Sequence, residues 1–162
     1  MSGMSRIVKT ICSSIFPLVM IYGLYVIAHG HLTPGGGFQG GAIVASALAM
    51  ILVAYGSVWT MGKIKEKNLS LLESLGALGF ITLAFLGLII VVDGASVFFN
   101  NFLVNTNFLF GIAPATGSTA ANINTGGILP LMNFSVGLKV IAGLFVIILV
   151  MAYASNAKEA KK

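Results

Sequence analysis

The chain has 162 residues, 57% of them hydrophobic and 8% charged, with a mean hydropathy of +1.01. Soluble domains carry about 25% charge, so this composition excludes an ordinary soluble globular protein and indicates an integral membrane protein. The formal charge of +5 does not mark a nucleic-acid binder, because nearly all of the cations are grouped beside apolar runs, as topology determinants are.

Residues 1–10 form a basic leader with Arg6 and Lys9. Cations ahead of an apolar run raise the question of a signal peptide. The run 11–28 outlasts a typical h-region, however, and no A-x-A site follows it. It reads as a first transmembrane helix, about 27 Å long. Pro17 is expected to kink it, with Ser13 or Ser14 taking up a freed carbonyl. Cys12 is the one cysteine. It permits no intrachain disulfide and no metal site by itself, and reads as a small packed residue.

Residues 29–41, His-Gly-His-Leu-Thr-Pro-Gly-Gly-Gly-Phe-Gln-Gly-Gly, break the apolar pattern. Pro34 lacks an N–H, and the glycines lose the most entropy on ordering. A second helix is predicted over about 38–60. Gly37, Gly41, Ala45 and Ala49 recur every four residues and form one stripe. In lipid such a stripe permits close contact with another helix. Tyr55 and Trp59 mark the far end, where amphipathic rings prefer the interface.

A short polar loop over 62–70 carries Lys63, Lys65, Glu66 and Lys67. The third helix is predicted over about 71–92, with Gly76, Gly79 and Gly87 inside it. Gly79 and Gly87 share a face. Glu73 falls in its first turn, where the helix dipole favours a carboxylate. Asp93 and Gly94 close it. From there to Met132 there is no Lys, Arg, Asp or Glu, and the segment is rich in Asn, Thr and Gly. A plain solvent loop would carry charges. Its aromatic pieces, Phe98–Phe99 and 108–110, are expected along the membrane interface or beneath a neighbouring protein. Pro114 and Pro130 punctuate it. A fourth helix follows over about 133–154, and then a basic tail. The fold class is all-α: one membrane domain of four transmembrane helices, with a long outer loop between the third and fourth.

The basic N-terminus, middle loop and C-terminus fall on one side of a four-span chain. That side is expected to be cytoplasmic. The glycine-rich break and the long loop, which hold no Lys or Arg, then face outward.

Lys139 is the sharpest chemical signal. A fourth helix beginning after it would leave 15 residues, short of the ~20 a span needs. The helix therefore starts near Asn133, and Lys139 lies about 9 Å along it. One reading is a lysine snorkelling outward along its own stem. The other is a buried lysine that gains or loses a proton as its surroundings change. Asp93, on the same outer side, is the candidate partner, and a carboxylate from another subunit is the alternative. His29 and His31 are candidates for proton or ion handling. With no nearby Cys, Asp or Glu they make a weak metal signal; interfacial or capping histidines are the other reading. Gly35, Gly36, Gly37, Gly40 and Gly41 are able to form an N–H nest at a helix start. The Walker pattern and its preceding strand are both missing, which argues against a nucleotide loop. The sequence shows no catalytic triad, paired carboxylates or cysteine cluster.

The motif H-G-H-L-T-P-G-G-G-F-Q-G-G resembles the signature of the MnhB/MrpB family, the B-type subunits of Mrp-type multisubunit Na⁺/H⁺ antiporters. Related subunits occur in energy-converting membrane-bound hydrogenases and similar respiratory complexes. Pro34, Gly35, Gly36, Gly37, Phe38, Gly40 and Gly41 carry the specific core. Phe134 to Lys139, F-S-V-G-L-K, is more similar to the hydrogenase-type relatives. The resemblance implies a small, non-catalytic scaffold or ion-path subunit that binds no cofactor. Its expected partners are other membrane subunits, including large antiporter-like ones, with Na⁺ and H⁺ as transported ions. Two other functions fit the residues: a homo-oligomeric small channel or transporter, and a purely structural membrane subunit.

Overall fold

The computed structural model describes residues 4–32, 35–89, 98–99 and 127–159. These hold five helices: α1 (Arg6–Ala28), α2 (Gly36–Tyr55), α3 (Ser57–Lys63), α4 (Glu66–Ile89) and α5 (Leu129–Glu159). No strand occurs among the described residues. Four of the helices, α3 being the exception, are long and apolar enough to cross a membrane. Large apolar side chains such as Leu18, Ile21, Val53 and Met151 stay exposed on the outside of the bundle. That is how a protein dissolved in lipid differs from one dissolved in water. The four-span, all-α expectation holds.

The helix boundaries differ from the predicted ones for local reasons. α1 begins at Arg6 and runs through Pro17. Neither nearby serine takes the Ser13 carbonyl that the proline frees. The Ser13 hydroxyl pairs with the Tyr55 hydroxyl at 2.8 Å, and the Ser14 hydroxyl donates to the Thr10 carbonyl at 3.0 Å. α2 ends at Tyr55 rather than near residue 60, because Gly56 adopts φ 89°, ψ 157°. Side-chain-bearing residues avoid that region. The Gly56 N–H still donates to Leu52 at 2.9 Å, and the chain then turns into α3. Both the N–H and the hydroxyl of Thr60 donate to the Gly56 carbonyl, at 3.2 and 2.9 Å. α5 starts at Leu129, ahead of Asn133, with Pro130 in the first turn, where its missing N–H leaves nothing unpaired.

Most of the long loop, with the aromatic run 108–110, lies outside the described residues. Phe98 and Phe99 are described. They pack edge-on against Phe85 and tilted against Phe80, at 5.3 and 5.8 Å between ring centroids. They therefore lie on this chain's own α4 while remaining nearly half exposed.

α5 sits between α2 and α4, and α1 packs on α2 while also touching α5, where Ile27 lies against Gly137. The paired glycines of α2 make this possible by serving two faces. Towards α1, a Cβ at Gly36 would strike the Cα of Gly30, two residues past the end of α1, and one at Gly40 would stand 2.7 Å from the Gly23 carbonyl oxygen. On the α5 face, a Cβ at Gly37 would stand 2.7 Å from the Asn133 carbonyl oxygen, and one at Gly41 3.0 Å from that of Gly137. The start of α1 meets the end of α2, where the Met4 N–H donates to the Ala54 carbonyl at 3.1 Å. Arg6, Lys9, Lys63, Lys65 and Lys67 thus gather at one end of the bundle, and the glycine motif lies at the other.

Two glycine-to-alanine changes separate packing from propensity. Gly36→Ala forces α1 and α2 apart and is expected to destabilise the chain by roughly 1–3 kcal/mol, the usual range for overpacking. Gly62→Ala, in α3 with nothing within 4 Å of the added methyl, is expected to be neutral or stabilising by about 0.5–1 kcal/mol. Thermal unfolding of the two purified chains in one detergent checks the ranking; equal midpoints would contradict it.

Candidate functional site

α4 and α5 run antiparallel and meet at glycines. A Cβ at Gly76 would lie 2.7 Å from both the Lys139 nitrogen and the Ser135 carbonyl oxygen. One at Gly143 would lie 3.4 Å from the Glu73 Cδ and Oε1. Gly76 touches Lys139 and is one turn from Glu73, so the glutamate and the lysine lie on this seam about one helical turn apart. The axial offset between Glu73 and Gly76 is about 4.5 Å.

Both groups lie well inside membrane-crossing helices. α5 starts at Leu129, so Lys139 is about 15 Å along it, deeper than the 9 Å obtained from a start at Asn133. Glu73 is not in a first turn. α4 begins at Glu66, and Glu73 is about 10 Å along the helix. Lys139 is exposed on the outside of the bundle and Glu73 is half-buried. Helical side chains lean towards their own N-terminus. On antiparallel helices the lysine therefore leans towards the glycine-rich end and the glutamate towards the basic end. An ionised group in hydrocarbon costs roughly 2.5–3.5 kcal/mol at the bilayer centre on insertion scales. Two on one seam demand a polar surrounding or a partner.

Lys139 stands out in the sequence, whereas Glu73 does not. The signal for Glu73 is the run from Glu66 to Ser70, which is polar yet free of helix breakers. It lengthens α4 by a turn and a half and draws Glu73 inward. Asp93, the expected partner of Lys139, lies outside the described residues, as does Pro34.

The histidines sit elsewhere. His29 caps α1, with its N–H donating to Tyr25 at 2.9 Å and its ring stacked on Tyr25 at 5.4 Å. His31 tilts against His29 at 6.3 Å. Both His31 nitrogens are shut off from solvent without a hydrogen-bond partner, a state that costs about 1–3 kcal/mol. The pair lies beside Gly30, which abuts Gly36 and Gly37. Gly37 in turn meets Asn133, six residues from Lys139. The histidines therefore sit near the start of α2 and not at Lys139, which is about 9 Å along α5 from Asn133. Among the described residues, no three His, Cys, Asp or Glu side chains converge. In the motif, Gly35 takes the left-handed conformation (φ 79°) ahead of α2. Gly36, Gly37, Gly40 and Gly41 are buried against neighbouring helices, and Phe38 is 57% exposed.

The chain matches, over residues 7–153, the family model described as a domain related to the MnhB subunit of Na⁺/H⁺ antiporters. It is 40% identical over 141 residues to an uncharacterized protein of Methanocaldococcus jannaschii, a match covering 85% of this chain and 48% of that protein. It is 31% identical over 116 residues to the B-type subunit of the Bacillus subtilis Na⁺/H⁺ antiporter, covering 70% of this chain and 72% of the relative. Among solved structures it resembles a chain of the membrane-bound sulfane sulfur reductase, an archaeal respiratory membrane complex, with a TM-score of 0.68 and 25% identity. That match covers 93% of this chain and 61% of the other. The chain thus spans about half to two thirds of the length of these archaeal relatives.

The seam has a direct covalent test. A Cβ at Gly79 lies 3.7 Å from the Ser135 Cβ, close to the ~3.8 Å of a relaxed disulfide. In a Cys12→Ser background, Gly79→Cys with Ser135→Cys is expected to cross-link under mild oxidant in intact membranes. Adding Gly76→Leu, which wedges α4 off α5, is expected to reduce the yield. An SDS gel mobility shift reads both, and no cross-link in the first variant would refute the seam.

Proposed function

The chain belongs to the MnhB family of Na⁺/H⁺ antiporter subunit domains, and from that premise we propose that it is a non-catalytic membrane subunit of a cation/proton antiporter module. Its neighbours are other membrane subunits, including large antiporter-like ones. It helps to hold them together and lines part of an ion path. It binds no cofactor itself. Any redox chemistry of the host belongs to other subunits. The likeness to a chain of an archaeal respiratory complex supports a host in which the module is built into a redox-driven assembly. The basic end of the bundle faces the cytoplasm and the glycine motif faces outward, since Lys and Arg stay on the cytoplasmic side.

The observation that carries the ion-path reading is the depth and exposure of Lys139. A lysine about 15 Å along a membrane helix, turned out of its own bundle, is not accommodated by lipid tails. It faces a neighbouring subunit or a hydrated route. Glu73, on the same seam, supplies a carboxylate nearer the basic end. Together they make a polar step between the two membrane surfaces. Asp93 remains the outer candidate for the same route, whereas His29 and His31 lie beside Gly30, away from the α4–α5 seam. In this reading Gly35, Gly36, Gly37, Gly40 and Gly41 are a packing element and not ion ligands.

Lys139→Met keeps the length of the side chain and removes its charge. The complex is expected to assemble normally and to exchange ions about tenfold more slowly, as a loss of ~1.4 kcal/mol along the path produces. Glu73→Gln is expected to act in the same direction. Ion flux in vesicles, normalised to assembled complex on a native gel, measures both. Full flux in an assembled Lys139→Met complex would make the chain a scaffold only.

A further inference from the structure

The turn at Gly56 creates a second site, at the basic end, that the ion-path reading does not use. α3 swings away from the α2 axis and leaves a cavity of about 340 Å³ between α1, α2, α3 and α5. That volume is within the ~300–1,000 Å³ of ligand pockets. Phe16, Leu48, Ile51 and Phe145 line it, with Trp59 and Lys63 on the α3 side. Phe145 is fully buried and forms the floor, while Lys63 and Trp59 are exposed at the rim. Three hydroxyl-bearing residues line the cavity, and all are already engaged: Ser13 and Tyr55 with each other at 2.8 Å, and Thr60 with the Gly56 carbonyl at 2.9 Å. The Lys63 ammonium and the Trp59 indole N–H are left to meet a ligand, and no carboxylate pairs with the lysine among the described residues.

An apolar slot with a cation at its rim selects an apolar tail bearing an anionic head. The surroundings repeat the preference. Tyr55 and Trp59 stack at 4.6 Å, and such amphipathic rings settle at headgroup level. The Lys9 ammonium lies 5.6 Å over the Tyr55 ring, and Arg6, Lys65 and Lys67 share this end of the bundle. Basic pockets between transmembrane helices on the cytoplasmic side hold anionic lipid headgroups. We propose that this cavity is a binding site for an anionic membrane phospholipid, with one acyl chain in the slot against Phe145 and the phosphate at Lys63. The site joins α1, α2, α3 and α5 through one lipid. It stands independently of any ion path.

Trp59 is the sole tryptophan and lines the slot, so its fluorescence reports occupancy. The full chain is reconstituted in phosphatidylcholine bilayers doped with dibrominated phosphatidylglycerol or, in parallel, dibrominated phosphatidylcholine. Brominated phosphatidylglycerol is expected to quench with an association constant about fivefold higher, the preference contributed by one juxtamembrane cation. Lys63→Gln is expected to bring the ratio to near one. Leu48→Phe, which fills the slot and keeps the lysine, is expected to do the same, with Ile51→Phe as the substitute if that chain does not fold. A ratio near one in the unmodified chain overturns the proposal. A ratio that survives slot filling also overturns it, because the lysine would then attract headgroups without a pocket.

Discussion

The α1–α2, α2–α5 and α4–α5 interfaces each bring backbone close against a glycine that lacks a side chain. In lipid there is no hydrophobic gain in bringing two apolar helices together, so association depends on close van der Waals packing. Glycine allows it. At several glycines the atom that a Cβ would strike is backbone: Gly30 Cα opposite Gly36, the Asn133 carbonyl opposite Gly37, the Lys139 backbone nitrogen opposite Gly76. Backbone does not swing aside as a side-chain tip does. The positions of α1, α2, α4 and α5 are therefore coupled through a few residues with no side chain at all. Dispersion falls steeply with separation, so a small gap at any of these glycines loosens a whole interface.

The same constraint decides where the charges go. Gly76 is buried against the Lys139 backbone. With its main chain pressed into α4, Lys139 has its side chain directed away from the α2 face and out of the bundle. Glu73 follows from the same packing, since its carboxyl carbon lies on Gly143, one turn from Lys139. The acid–base seam is thus a consequence of glycine packing and needs no separate device to hold it. The small-residue motif and the ionisable residues occupy different faces of α5 for this reason: one face joins α2, the other joins α4.

The spans, the grouping of cations at one end and the placement of Lys139 inside a span were legible in the sequence, because each follows from composition along a helix. Three features were not. The stripe of Gly37, Gly41, Ala45 and Ala49 was visible, but Gly36 and Gly40 make a second face towards α1. Paired glycines give two overlapping periodicities, and one stripe reads as well as two. The break at Gly56 was hidden because apolar residues continue on both sides of it. Only its positive φ separates α2 from α3, and a glycine inside an apolar run does not announce its φ. Glu73 was misplaced because polar residues before an apolar run look like loop, whereas Glu66, Lys67 and Asn68 are the first turn of α4.

These three differences bear on function in one direction. The first turns the glycine motif from a possible ligand loop into a sandwich of α2 between α1 and α5. Phe38 stands apart within it, exposed between buried glycines and unused by the packing of the bundle. The second opens the cavity at the basic end, since an unbroken α2 would leave no slot beside Trp59. The third moves a carboxylate onto the α4–α5 seam, one turn from Lys139. An exposed lysine, an exposed Phe38 and a rim of cations are three outward-facing features among the described residues. The exposed lysine and the basic rim thus face outward, while among the described residues the interior keeps one unmet demand of its own, the two buried His31 nitrogens.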